Sequence, residues 1–146
     1  ITLPSNGHVT PDAMETNPEP QATLDLVIFG GAGDLSVRKL LPALYMAHLH
    51  KTLPEDTRIV ALGRHAWDRA AFTAFVDDKV RAFIAPAELD AGAWGRFIER
   101  LVYVSLDATR AEDYAGLAAA LRAGADRVYY LATAPTLFTA ICAHLH

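Results

Sequence analysis

The chain has 146 residues, a net charge of −4, 52% hydrophobic residues and 21% charged residues. That is enough for one domain with a buried core, and mild acidity without a basic patch excludes a nucleic-acid or anionic-membrane partner. Cys142 is the only cysteine, so no intrachain disulfide and no cysteine metal cluster is expected; a reducing, cytoplasmic compartment fits that usage. No stretch reads as a membrane span, and the start lacks the basic-then-apolar pattern of a secretory signal.

Residues 1–22 read as a flexible N-terminal arm, because Ile1 to Gln21 carries four prolines and no apolar period. From residue 23 to 146 the pattern is that of one domain. Leu24 to Phe29 is the first strand, with Asp25 near its solvent-exposed start. Its near-continuous apolar run suits a strand covered on both faces, as in a parallel sheet. Ser36 to His50 reads as a helix laying Val37, Leu40, Leu41, Leu44 and Ala47 on the sheet. Pro42 interrupts it, removing a donor and crowding the carbonyl of Arg38, so a local kink is expected.

Arg58 to Gly63 is the second strand. Asp68 to Phe83 follows as an amphipathic helix with Phe72, Phe75, Val76 and Val80 inward, and Glu88 to Glu99 as a further helical stretch. Leu101 to Leu106 is the third strand. Ala111 to Ala123 is a helix with Gly124 as its C-terminal cap. Arg127 to Ala132 is the fourth strand, and Pro135 opens a final helix. Alternating strands and helices predict an α/β fold: a Rossmann-like parallel sheet flanked by helices, the first half of a doubly wound architecture with strand order 3-2-1-4. There is no initiator Met, and the last residues read as mid-helix, so a fragment of a longer protein is expected.

The chemistry gathers where the first strand meets its helix. Phe29-Gly30-Gly31-Ala32-Gly33-Asp34-Leu35-Ser36 can be parsed as Gly31-x-Gly33-x-x-Ser36 or as Gly30-x-x-Gly33-x-x-Ser36. Both are relaxed dinucleotide fingerprints, in which small residues let a pyrophosphate approach the backbone at a helix N-terminus. At the end of the second strand an NAD site keeps an acid for the ribose hydroxyls. Here the sequence reads Gly63-Arg64-His65. A guanidinium suits a 2′-phosphate, so Arg64 points to NADP. Asp107-Ala108 ends the third strand, where adenine would pass. Thr133-Ala134-Pro135 ends the fourth, near where a nicotinamide would lie. Lys39, just past the turn, is a candidate to reach the cofactor or an anionic substrate. His48 with His50, and His144 with His146, stand two apart and face different ways on a helix, so no metal site is expected. Ser105 and Cys142 have no base nearby in sequence, and the lysine of a Walker A loop is absent.

The run Gly33-Asp34-Leu35-Ser36-Val37-Arg38-Lys39-Leu40-Leu41-Pro42-Ala43-Leu44-Tyr45 resembles the N-terminal signature of the glucose-6-phosphate 1-dehydrogenase family. Ile59 to Asp68 is similar to that family's second strand and arginine. Val128 to Ala132, followed by Pro135, is similar to its fourth strand. The resemblance implies an NADP-dependent oxidoreductase that converts glucose 6-phosphate to 6-phosphogluconolactone, at the entry to the oxidative pentose phosphate pathway. It implies that Gly30, Gly33, Asp34 and Leu35, with Gly31 beside them, form the cofactor turn. Arg64 would hold the 2′-phosphate, and Asp107 and Ala108 would border the adenine. Lys39 would match a lysine near substrate and nicotinamide. Ser36 stands where the family usually has alanine.

The family's Glu-Lys-Pro-Phe-Gly and Arg-Ile-Asp-His-Tyr-Leu-Gly-Lys segments do not occur in these residues. The resemblance therefore implies that the catalytic base lies beyond His146, that no catalytic residue lies within the chain, and that the chain alone does not turn over. It also implies a whole enzyme that is a homo-oligomer through a further domain. A non-catalytic NADP-binding or sensing module is the alternative reading.

Overall fold

The computed structural model describes residues 23–133 and 137–145; the expected arm over 1–22 lies outside them. Four apolar segments form strands: β1 (Thr23–Phe29), β2 (Asp56–Gly63), β3 (Leu101–Ser105) and β4 (Asp126–Leu131). They make one parallel sheet in the order β3-β2-β1-β4, with Val27 opposite both Val60 and Tyr129. The helices between them are α1, a π turn (Ser36–Leu40) continuing as an α segment (Leu41–Leu49), then α2 (Arg69–Lys79), α3 (Ala91–Glu99), α4 (Tyr114–Ala120) and α5 (Phe138–His144).

Side chains alternate across a strand, so β1 feeds two cores. Leu26 and Ile28 pack with Val37, Leu41 and Tyr45 of α1, Phe72 and Val76 of α2, and Trp94 and Phe97 of α3. Val27 and Phe29 pack on the other face with Leu117 of α4 and Ile141 of α5. This two-sided burial is why the first strand's sequence is an apolar run rather than an alternation.

Several local expectations are revised. Pro42 does not break α1, and the irregularity expected there takes the form of a π turn just before it. The Leu41 N–H donates to the Ser36 carbonyl, closing one π turn, and the α segment restarts with Pro42 in its first turn. The wider π turn before it gives the proline ring room within a continuous helix. Asp25 is not at a solvent-exposed strand start: it is fully buried. It accepts from the Arg122 backbone N–H (2.7 Å) and from the Arg122 guanidinium (2.8 Å).

That anchor also explains Gly124. α4 ends at Ala120, and Leu121 is extended (ψ 142°), which lets Arg122 reach Asp25. Gly124, at φ 77°, then turns the chain into β4 rather than capping the helix. The expected helix over Asp68 to Phe83 becomes α2 plus a 3₁₀ turn, Arg81–Phe83. Asp68 and Asp90 cap α2 and α3, accepting from the Ala71 and Ala93 N–H groups at 2.8 Å each.

At the opposite end of the sheet from the glycine turn, Arg100 donates to His48 Nδ1 (3.0 Å) and to the carbonyls of Pro54, Glu55 and Thr57. Burial, and then the Arg100 charge, hold the His48 imidazole below its ordinary 6.5. As pH falls through 6.5 the unfolded chain takes up this proton before the folded one, so stability declines from there downward. Between about pH 7.5 and about pH 5.5 the urea midpoint of the native chain should fall further than that of a His48→Gln variant, whose amide oxygen still accepts from Arg100. Equal falls in the two chains would contradict this.

Candidate functional site

The turn after β1 is built from its glycines. Gly30 has φ 78°, and a β-carbon there would lie 2.7 Å from the Ala132 carbonyl oxygen, so only glycine fits. Its carbonyl accepts from the Gly33 N–H (2.9 Å), and the Gly33 carbonyl accepts the first helical bond from Val37 (3.0 Å). Gly31 faces the other way. A β-carbon there would stand 2.5 Å from the Ala61 β-carbon, and its N–H donates to the Leu62 carbonyl (2.8 Å). The Gly30-x-x-Gly33 parse therefore describes the open face of the turn, and Gly31 locks it onto β2. Ser36, in the helix-packing position, is fully buried.

A cavity of about 370 Å³ opens beside this turn, across the carboxyl ends of all four strands. Gly30, Ala32 and Gly33 form one wall. Gly63 ends β2 and Arg64 and His65 follow it, Asp107 to Thr109 follow β3, and Thr133 follows β4. A larger hollow of about 720 Å³ lies at the strands' amino ends. Three of its guanidiniums are committed to protein acceptors: Arg100 as above, Arg122 on Asp25 and Asp56, and Arg58 on the Ala120 carbonyl. Open α/β sheets bind ligands at the carboxyl ends, so the smaller cavity is the candidate site.

Two phenols stiffen its walls. Tyr103 of β3 donates to the His65 carbonyl (2.8 Å), and Tyr114 of α4 donates to the Ala108 carbonyl (2.9 Å). Burial pushes both hydroxyls up from the ordinary tyrosine value, so they stay protonated donors. His65 also stacks on Trp67, with rings 4.2 Å apart and 8° from parallel. Across the mouth, the Arg64 guanidinium stands 3.7 Å from Asp107 Oδ2. Asp107 Oδ1 accepts from the Thr109 hydroxyl (2.7 Å) and N–H (3.0 Å). Those two bonds, and then the charges of Arg64 and Arg110, hold its carboxyl below the usual range.

Residues 27–146 match the family model described as the NAD-binding domain of glucose-6-phosphate dehydrogenase. The chain belongs to the glucose-6-phosphate dehydrogenase family. It is 41% identical over 138 residues to the glucose-6-phosphate 1-dehydrogenase of Mycolicibacterium smegmatis, covering 90% of this chain and 28% of that protein. It is likewise 41% identical over 126 residues to the Gluconobacter oxydans enzyme, covering 84% of this chain and 26% of that protein. The chain thus spans little more than a quarter of the curated relatives it matches. The crystal structure of the Mycobacterium avium glucose-6-phosphate 1-dehydrogenase superposes with a TM-score of 0.75 at 26% identity, covering 86% of this chain and 27% of that one.

Of the residues singled out in this glucose-6-phosphate dehydrogenase domain, Gly30, Gly33, Arg64, Asp107, Ala108 and Thr133 come together around the cavity. Gly31 is a packing glycine behind it. Asp34 and Leu35 are exposed at the start of α1 and do not line it, and Lys39 is exposed further along that helix. Pro135 lies outside the described residues. The wall also includes Phe29, Leu62, Leu106 and Leu137, which read in the sequence only as strand or helix residues. The phenols of Tyr103 and Tyr114 carried no motif at all. The arrangement fits a dinucleotide: a turn stripped of side chains, a helix start whose first N–H groups have no intrahelical acceptor, and a cation at the far wall. Among the described residues no group of three or more His, Cys, Asp or Glu could hold a metal ion.

Proposed function

We propose that this chain is the cofactor-holding part of an NADP-dependent glucose-6-phosphate 1-dehydrogenase, which oxidises glucose 6-phosphate to 6-phosphogluconolactone. The observation that carries the NADP reading is Arg64. It stands in the cavity wall at the end of β2, where NAD sites keep a carboxylate, and β2 ends without one. In this reading Gly30 and Gly33 border the pyrophosphate, Arg64 pairs with the 2′-phosphate, and Thr133 stands at the nicotinamide end. When bound, the nicotinamide supplies the hydride acceptor. Lys39 is the proposed contact to the sugar phosphate. The proposed whole enzyme is a cytoplasmic homo-oligomer whose base and oligomer contacts lie outside these residues.

Titrating the chain with NADPH and NADH, followed by energy transfer from tryptophan, tests the cofactor. NADPH is expected to bind tighter. Supplied with NADP and glucose 6-phosphate, the chain alone is expected to form no NADPH above the blank, since positioning and acid–base groups worth several powers of ten are missing. Equal or tighter NADH binding would remove the NADP assignment.

A further inference from the structure

Asp107 has a feature that bordering an adenine does not require. Both of its carboxylate oxygens are directed. Oδ1 is held by Thr109, through hydroxyl and N–H. Oδ2 faces the Arg64 guanidinium across the cavity mouth at 3.7 Å. Its own N–H is pinned to Asp113 (2.8 Å). The neighbouring cation Arg110 is occupied by Glu112 (2.9 Å). The acid that the carboxyl end of β2 lacks is therefore supplied from the end of β3, in front of the arginine in that wall.

Building on the NADP reading of this site, we propose that Asp107 is a specificity-determining residue that limits discrimination between NADP and NAD. A 2′-phosphate paired with Arg64 must sit beside the Oδ2 of Asp107 and is repelled by it. A 2′-hydroxyl in the same place donates to that oxygen. Asp107 thus weakens the phosphorylated cofactor and supports the unphosphorylated one, and Arg64 and Asp107 act on the 2′ position with opposite sign. The 3.7 Å separation matters: the pair is too long for a tight hydrogen bond, so the guanidinium remains available to a phosphate.

The test uses adenosine 2′,5′-bisphosphate and adenosine 5′-monophosphate, which differ at the 2′ position and need no catalysis. Dissociation constants for both are measured by calorimetry on the native chain and on Asp107→Asn. Asparagine keeps the turn to Thr109, because its amide oxygen still accepts both bonds, so the loop is preserved. The ratio of the two constants is expected to move about two- to fivefold toward the bisphosphate, the scale of one exposed charge pair. Asp107→Ser, which removes the charge with a smaller side chain, should move it the same way. An unchanged ratio, or one that moves toward the monophosphate, overturns the role of Asp107 while leaving the NADP reading in place. If the native chain binds neither nucleotide, both fall together.

Discussion

Replacing Arg64 with aspartate is expected to weaken NADP binding about 100-fold, the loss of one to two charge-assisted hydrogen bonds. NAD binding should change by less than about threefold. The side chain is 82% exposed, and its one ion pair among the described residues, to Asp107, is long at 3.7 Å. Removing it therefore costs the fold little, and the loss reports on the ligand. The guanidinium offers a planar, permanently charged fork to a phosphate. An NAD ribose makes no use of that fork, and the new carboxylate can accept from its 2′-hydroxyl. Titration with NADPH and NADH reads the two affinities separately. Parallel losses in both would mean that Arg64 faces another part of the nucleotide, and the cofactor assignment would fail with it.

How much of this site was legible beforehand follows from what kind of signal each residue leaves. Gly30, Gly33 and Arg64 sit at fixed offsets from a strand end, and parallel topology carries such offsets directly into space. Asp107 and Thr133 were reachable by the same rule. Gly31 was not separable from Gly30, because a buried packing glycine and a cavity glycine look alike until β2 is seen behind one of them. Tyr103 and Tyr114 left no trace, since their roles are single bonds to carbonyls 38 and six residues away. The fold was read more completely than the helix ends. Apolar period fixes a helix's existence, but its end is set by competing tertiary bonds. α4 stops early because Arg122 is needed elsewhere. Pro42 follows the same logic: the pattern fixes its place in α1, and only the backbone bonds show a π turn absorbing it.

Arg122 is also where the largest stability loss is expected. Its guanidinium bonds Asp25, Asp56 and the Leu24 carbonyl, tying the starts of β1 and β2 to the turn before β4. Asp56, relieved mainly by its bond from Arg122 and then by one from Thr23, has its carboxyl held below the ordinary range. Asp25 is the sensitive partner, because it is fully buried. Arg122→Met keeps the length of the side chain but leaves that carboxylate without its counter-charge, which costs about 3–5 kcal/mol in buried pairs. The Arg122 backbone N–H still donates to Asp25, so the lower half of that range is the better expectation. Asp25→Asn alone should cost less, since its amide oxygen can still accept. The double variant should be more stable than the two single losses predict, by about 1–3 kcal/mol of coupling. Urea unfolding of the four chains gives the cycle. A loss below about 1 kcal/mol for Arg122→Met would place the pair with ordinary surface bridges, and some other contact would then have to hold the lower edge of the sheet.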